Sequence, residues 1–203
     1  MFYIILFAAL GYLSGSILYA NVFGRIGGKK DLYRESSDQN PGTANAYKYG
    51  GFWCGTLTLL CDLAKGFLPV FLYTHFFQVQ PTWGLSVVLA APVIGHIFPV
   101  FYRFHGGKGI ATTFGCLLGL IPYLHPVLSF AAVFVILSVG LRITPNFYRT
   151  LVAYPLTAAT MILTGVVPAV WVSFLIVTAI VCLRLYQSKE EKEPIGVKLL
   201  WMR

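Results

Sequence analysis

Apolar residues come in seven runs along this chain, roughly 2–24, 52–74, 83–102, 110–123, 126–141, 151–166 and 169–183. A helix needs about 17–25 residues to cross a bilayer, so the first three runs are long enough to span. The last four are shorter and are read as tilted, partly re-entrant or divided elsewhere. Seven spans is the count taken here, and six is the alternative. The predicted fold is an all-α polytopic membrane protein. It forms one membrane domain over residues 1–203, with no repeat and no low-complexity linker.

The distribution of charge gives the spans a direction. Arg25, Lys29, Lys30, Arg34 and Lys48 lie between runs one and two, and Arg103 and Lys108 between three and four. Arg142 and Arg149 fall between five and six, and Arg184, Lys189, Lys192, Lys198 and Arg203 make up the tail. With seven spans, every basic residue except Lys65 sits on one side. By the positive-inside rule that side is cytoplasmic. The amino terminus is then outside and the carboxyl terminus inside. The cytoplasmic pieces are the polar loop 25–51, the glycine–lysine loop 103–109 and the tail 184–203.

Composition agrees with a membrane setting. The chain is 57% apolar and 11% charged, against about 25% charged residues in soluble domains, and its mean hydropathy is +0.74. The net charge of +8 follows from topology and from attraction to anionic lipid. No basic stripe on a soluble domain points to nucleic acid. Met1–Gly24 lacks the basic start and small-residue cleavage site of a removed signal, and it is long enough to span. Cys54, Cys61, Cys116 and Cys182 lie inside apolar runs without C-x-x-C spacing. Buried free thiols are expected rather than metal ligands or disulfides. No cofactor or metal is predicted.

Candidate chemistry concentrates in Gly95–Gly109, G-H-I-F-P-V-F-Y-R-F-H-G-G-K-G. Gly106, Gly107 and Gly109 let the backbone turn sharply and approach a ligand. Successive N–H groups make an anion-binding concavity, and Lys108 adds a positive charge. Ile110–Leu120 is predicted to be a helix whose N-terminus would favour a phosphate at the same spot. The plain alternative is a tight glycine turn carrying a positive-inside lysine. It is not a Walker A loop, since the glycine six places before Lys108 is missing and Gly109 replaces the Ser/Thr. His96 either donates to a phosphate or hydrogen-bonds a neighbouring helix.

Two further groups stand out. The polar loop contains Asp38, Asn40, Gly42, Asn45 and Lys48, and Asn45 and Lys48 would share one face of a helical turn. Its turn-forming residues also suit an ordinary solvated loop. Asp62 and Lys65 lie inside the second run, where an unpaired charge costs about 2.5–3.5 kcal/mol. Their spacing pairs them on one helix face, as a structural ion pair or a link to a neighbouring helix.

With these residues in view, the chain resembles the bacterial acyl-phosphate:glycerol-3-phosphate acyltransferases, the PlsY type. The resemblance runs from about Gly15 to Gly115. Gly95–Gly109 is similar to the family run G-H-x-F-P-V-F-x-x-F-x-G-G-K-G, Asp62, Lys65 and Gly66 to D-x-x-K-G, and Asn40, Gly42 and Asn45 to S-G-N-x-G-A-T-N-x-x-R. The resemblance implies a seven-helix enzyme of the bacterial inner membrane. It would transfer an acyl group from acyl phosphate to glycerol 3-phosphate, giving lysophosphatidic acid without a metal. It also implies that Gly106, Gly107, Lys108 and Gly109 bind phosphate, and that Asp38 and Lys48 occupy the positions of a serine and an arginine serving the substrates.

The chain departs from the family where the chemistry is done. Asp38 stands for the serine, Ala44 for a threonine, Lys48 for the arginine and Leu18 for the proline of G-S-I-P. Pro145 or Asn146 falls where a later serine is expected. No His follows His125 and no Asn follows Asn146, so a carboxyl-terminal His and Asn cannot be supplied. Lysine keeps charge but loses the bidentate fork, and an ionised Asp38 cannot donate to a phosphate oxygen. Two further readings follow: a catalytically impaired paralogue that binds a phosphorylated lipid or metabolite or regulates a true enzyme, and a transporter using Asp62 and Lys65.

Overall fold

The computed structural model describes residues 1–28, 40–77, 82–188 and 194–199. Almost all of it is helix. Helix α1 (Phe2–Gly15) is followed closely by α2 (Tyr19–Ile26). A short α3 (Thr43–Gly50) leads straight into the 25-residue α4 (Phe52–Phe76), and α5 covers Thr82–Ile97. After a 3-10 turn at Val100–Tyr102 come α6 (Ile110–Leu118), α7 (His125–Val135) with a π turn at Ile136–Gly140, α8 (Asn146–Leu163) and α9 (Pro168–Gln187). Two-residue strands β1 (Ile143–Thr144) and β2 (Gly196–Val197) pair antiparallel.

Among the described residues, four stretches are long and apolar enough to cross a membrane: Phe2–Ile26, Phe52–Phe76, Trp83–Tyr102 and Pro168–Gln187. Leu60, Leu68, Leu128, Ile136 and Leu163 point outward and are exposed. Such a surface suits lipid and would be a liability in water.

Two expectations change in detail. The first apolar run is not one helix. Ser16 caps α1, its hydroxyl donating back to the Tyr12 carbonyl at 2.8 Å, and Leu18 is extended before α2 restarts. Side-chain bonds of this kind compete with the helix ladder. The freed Ile17 carbonyl accepts from Lys65 Nζ at 2.6 Å. The fourth run gives a helix of nine residues, ending at Leu118 rather than Leu120, and at 1.5 Å per residue it extends only about 14 Å. All four cysteines are free as expected, but only Cys116 is fully buried.

The helices meet through small residues, the usual solution where lipid removes the hydrophobic drive between helices. Gly11 and Gly15 of α1 lie against Pro92 of α5, and Gly95 of α5 lies against the Tyr12 backbone. Tyr12 Oη then donates to the Phe98 carbonyl at 2.9 Å. On the other side, Gly66 of α4 and Gly115 of α6 let those two backbones touch. The core beyond them is aromatic. Phe130, Tyr154 and Phe174 cluster with centroids 5.1–5.5 Å apart, and the Tyr154 hydroxyl is hydrogen-bonded to Thr113 at the start of α6.

A methyl group at Gly15 would overlap the Pro92 carbonyl, a backbone group that cannot swing aside. Gly15→Ala is therefore expected to destabilise by about 1–3 kcal/mol, the usual range for overpacking. Thermal unfolding in detergent checks this, and an unchanged midpoint would contradict the tight α1–α5 contact.

Candidate active site

The glycine–lysine loop is built from the end of α5. Arg103 and Phe104 both adopt left-handed backbone angles, with φ of 52° and 60°, which reverses the chain after the 3-10 turn. The loop then folds back on the helix it has just left. Gly106 N–H donates to the Ile97 carbonyl and Gly107 N–H to the His96 carbonyl, each at 3.1 Å. These amides cap the last turn of α5, whose carbonyls have no partner within the helix. The expectation that Gly106 and Gly107 present bare N–H groups to an anion is thereby corrected.

The positive end of α6 remains. Gly109 has φ +77° and caps that helix, and the first intrahelical bond is Thr113 N–H to Gly109 carbonyl at 2.8 Å. The amides of the first turn ahead of it have no carbonyl to meet inside the helix, so that end attracts negative charge. Lys108 sits beside it with only 6% of its surface exposed.

Gly107 is needed for space and not for its torsion, since its φ is not positive. A side chain there would run into His96 Nε2 and come within 2.9 Å of Asn40 Oδ1. The polar loop, α5 and the lysine loop therefore converge at Gly107. Asn40 is held by a compact turn: Asn45 Nδ2 and the Gly42 N–H both donate to its carbonyl at 2.8 Å. Gly42 caps α3 and presents its own carbonyl to Ala46. Asn45 thus acts on the site through Asn40.

Asn40, Lys108, Arg184, Leu185 and Ser188 line a small open cleft. Its walls carry two cations, an amide and a hydroxyl, a set suited to an anionic, oxygen-rich ligand. Arg184 Nη2 donates to the Gly106 carbonyl at 2.7 Å and ties the lysine loop to the end of α9. In the amino-acid sequence Arg184 stands out only as topological charge. Its position at the end of the apolar run Pro168–Gln187 was the available signal, because a cation in an apolar helix usually has a specific partner.

Other predicted residues fall differently. Asp38 lies outside the described residues. Lys48 is exposed on α3, its Nζ 5.1 Å from the Tyr49 ring centre, and it is not among the residues lining the cleft. Asp62 and Lys65 are buried and form the expected i,i+3 ion pair at 2.8 Å. Lys65 also reaches across to His96 Nδ1 at 2.9 Å. The pair and the loop, distinct features in the sequence, are joined through one imidazole.

Comparison with known proteins agrees with this architecture. The sequence profile of the glycerol-3-phosphate acyltransferase family matches residues 5–192. A glycerol-3-phosphate acyltransferase of Actinobacillus pleuropneumoniae is 42% identical over 115 residues, 57% of each chain. The chain thus spans little more than half the length of that relative. One from Pseudomonas savastanoi is 37% identical over 157 residues, covering 75% of this chain and 76% of its own. The crystal structure of PlsY, an integral membrane glycerol 3-phosphate acyltransferase, in its glycerol 3-phosphate form superposes with a TM-score of 0.76 at 25% identity. The superposition covers 91% of this chain and 88% of that one. Sequence profile, relatives and fold concur: the chain belongs to the glycerol-3-phosphate acyltransferase family.

Proposed function

We propose that this protein transfers a fatty acyl group from acyl phosphate to glycerol 3-phosphate and releases lysophosphatidic acid and inorganic phosphate. The observation that carries the reading is the cleft, with buried Lys108 at the N-terminal end of α6 and Arg184 and Asn40 beside it. Family membership supports it, as does the likeness to PlsY in its glycerol 3-phosphate form.

The acceptor hydroxyl oxygen attacks the acyl carbon, the bond from that carbon to the phosphate oxygen breaks, and phosphate departs with its charge. Acyl phosphate is already activated, so the protein has mainly to position the hydroxyl and stabilise charge. Lys108, the Arg184 guanidinium and the first turn of α6 supply positive potential. Asn40, held by Gly42 and Asn45, and His96 at Gly107 orient the phosphate-bearing substrate, and Gly106 and Gly109 shape the loop. Asp38 or the substrate's own phosphate takes the hydroxyl proton. Lys48, exposed on α3, adds positive charge outside the cleft. No cofactor or metal is required, and lysophosphatidic acid passes to the surrounding lipid.

The test is phosphate release from acyl phosphate by purified protein, with and without glycerol 3-phosphate. Release that depends on the acceptor is expected, with lysophosphatidic acid as co-product. Binding of either substrate without turnover would favour the impaired-paralogue reading instead. Asp38→Asn is expected to slow transfer by at least tenfold, since an amide does not accept a proton at neutral pH and a general base contributes about 10²–10⁴-fold. An unaltered rate would remove Asp38 from the mechanism.

We also propose a location in the bacterial inner membrane, with seven crossings in a single domain, the amino terminus outside and the three basic pieces (25–51, 103–109 and 184–203) cytoplasmic. The sorting of basic residues supports this. A cysteine replacing Lys198, in a variant with its native cysteines removed, should resist membrane-impermeant thiol reagents on intact cells and react once the cells are opened. Labelling in intact cells would reverse the orientation.

A further inference from the structure

Lys65 Nζ forms an ion pair with Asp62 Oδ1 at 2.8 Å and donates hydrogen bonds to the Ile17 carbonyl at 2.6 Å and to His96 Nδ1 at 2.9 Å. Asp62, Lys65 and His96 are all at least 97% buried. An ammonium carries donors and no acceptor, so in each of these bonds Lys65 is the donor. His96 Nδ1 therefore accepts, and the proton of the neutral ring resides on Nε2. That nitrogen faces Gly107, where a side chain would overlap it and would also crowd Asn40 Oδ1.

We infer that Asp62 and Lys65 are positioning residues for the reaction, which act by holding His96 as an Nε2–H donor aimed at the lysine loop. The inference rests on reading the cleft as a phosphate site. Asp62 keeps Lys65 charged, and Lys65 fixes both the rotation and the tautomer of the imidazole. The Ile17 carbonyl completes the arrangement, because the break between α1 and α2 exposes it there. His96 does not itself line the cleft; a ring with the opposite tautomer would turn a lone pair instead of an N–H towards Gly107 and the loop that carries Lys108. This gives an ion pair inside an apolar helix a function beyond mutual neutralisation, and it fits the rarity of charges at such depth.

The direct test is spectroscopic and needs no variant beyond an assignment control. In detergent-solubilised protein with ¹⁵N-labelled histidine, long-range ¹H–¹⁵N spectra distinguish the two tautomers, and loss of a signal in His96→Gln identifies it. A proton on Nε2, with Nδ1 accepting, is expected at neutral pH. A proton on Nδ1, or on both nitrogens, would overturn the inference. Kinetics give the second arm. Lys65→Met alone would leave Asp62 buried without its partner, so the variant used is Asp62→Asn/Lys65→Met. It and His96→Gln should each raise KM for glycerol 3-phosphate by about tenfold or more, the size of a lost hydrogen bond to a charged group. All three changes together should be no worse than His96→Gln, because the pair acts through that ring. Losses that multiply would show that the pair acts elsewhere. If the parent protein transfers no acyl group to glycerol 3-phosphate, the proposed reaction fails, while the spectrum still decides the tautomer.

Discussion

Under the proposed reaction, Lys108→Met is expected to lower kcat/KM for glycerol 3-phosphate by about a thousandfold, the upper range for removing one preorganised electrostatic donor. The side chain is almost fully buried, so solvent does little to weaken its charge. It shares the cleft with Arg184 and stands at the positive end of α6. Methionine has similar length, and its thioether is easier to bury than an ammonium, so the fold should persist. Lys108→Arg should recover only part of the rate, because a planar fork is larger and differently aimed than a point charge. Initial rates across both substrate concentrations, with thermal unfolding run in parallel, provide the check. A loss smaller than about tenfold in a folded Lys108→Met protein would mean that the charge at this position is not used on the reacting phosphates.

Gly107→Ala is expected to cost at least a hundredfold, a loss of the size that misplacing groups by about an ångström produces. The cause is local crowding. The added methyl meets His96 Nε2 and approaches Asn40 Oδ1 to 2.9 Å. Both belong to side chains that touch the loop from different parts of the fold, so the loop must move away from them and take Lys108 with it. Gly106→Ala should be worse. There the obstacle is the His96 carbonyl, which already accepts the Gly107 N–H, and a backbone group yields less than a ring. A diagnostic double change separates crowding from other causes. His96→Ala vacates the space, so in the Gly107→Ala background it should cost much less than the roughly tenfold or more expected from losing His96 in the parent protein. An equal or larger cost in the Gly107→Ala background would refute crowding as the mechanism. The same assay of acceptor-dependent phosphate release gives the numbers.

Much of this architecture is legible in the amino-acid order. Apolar runs near 52–74, 83–102 and 169–183 become α4, α5 and α9, since in lipid a helix is the unit that satisfies its own backbone. The lysine loop and the Asp62–Lys65 pair are also visible, because glycines beside a lysine and charges inside an apolar run are locally conspicuous. The destination of the loop amides is not legible. Nothing in G-G-K-G tells that two of its N–H groups are taken by the carbonyls of Ile97 and His96, because that depends on a chain reversal at Arg103 and Phe104, neither of them glycine. The bond from Lys65 to His96 joins residues on different helices and has no periodic signature. The bond from Arg184 to Gly106 spans an even longer stretch of sequence. The break at Ser16–Leu18 hides inside an apolar run, since hydrophobicity persists through it and only the serine hints at an alternative hydrogen bond.

The bond from Arg184 to Gly106 also sets an order of completion during synthesis. A chain emerging from the amino end has its polar loop and all four residues Gly106–Gly109 long before residue 184 is made. Until then the lysine loop has its α5 cap and lacks its tether to α9. The cleft, too, is missing the wall formed by Arg184, Leu185 and Ser188. A nascent chain stalled anywhere before the last helix therefore holds an unfinished pocket. Substrate committed there would meet a partial charge set, and the finished set arrives only with Arg184, in the last tenth of the 203 residues.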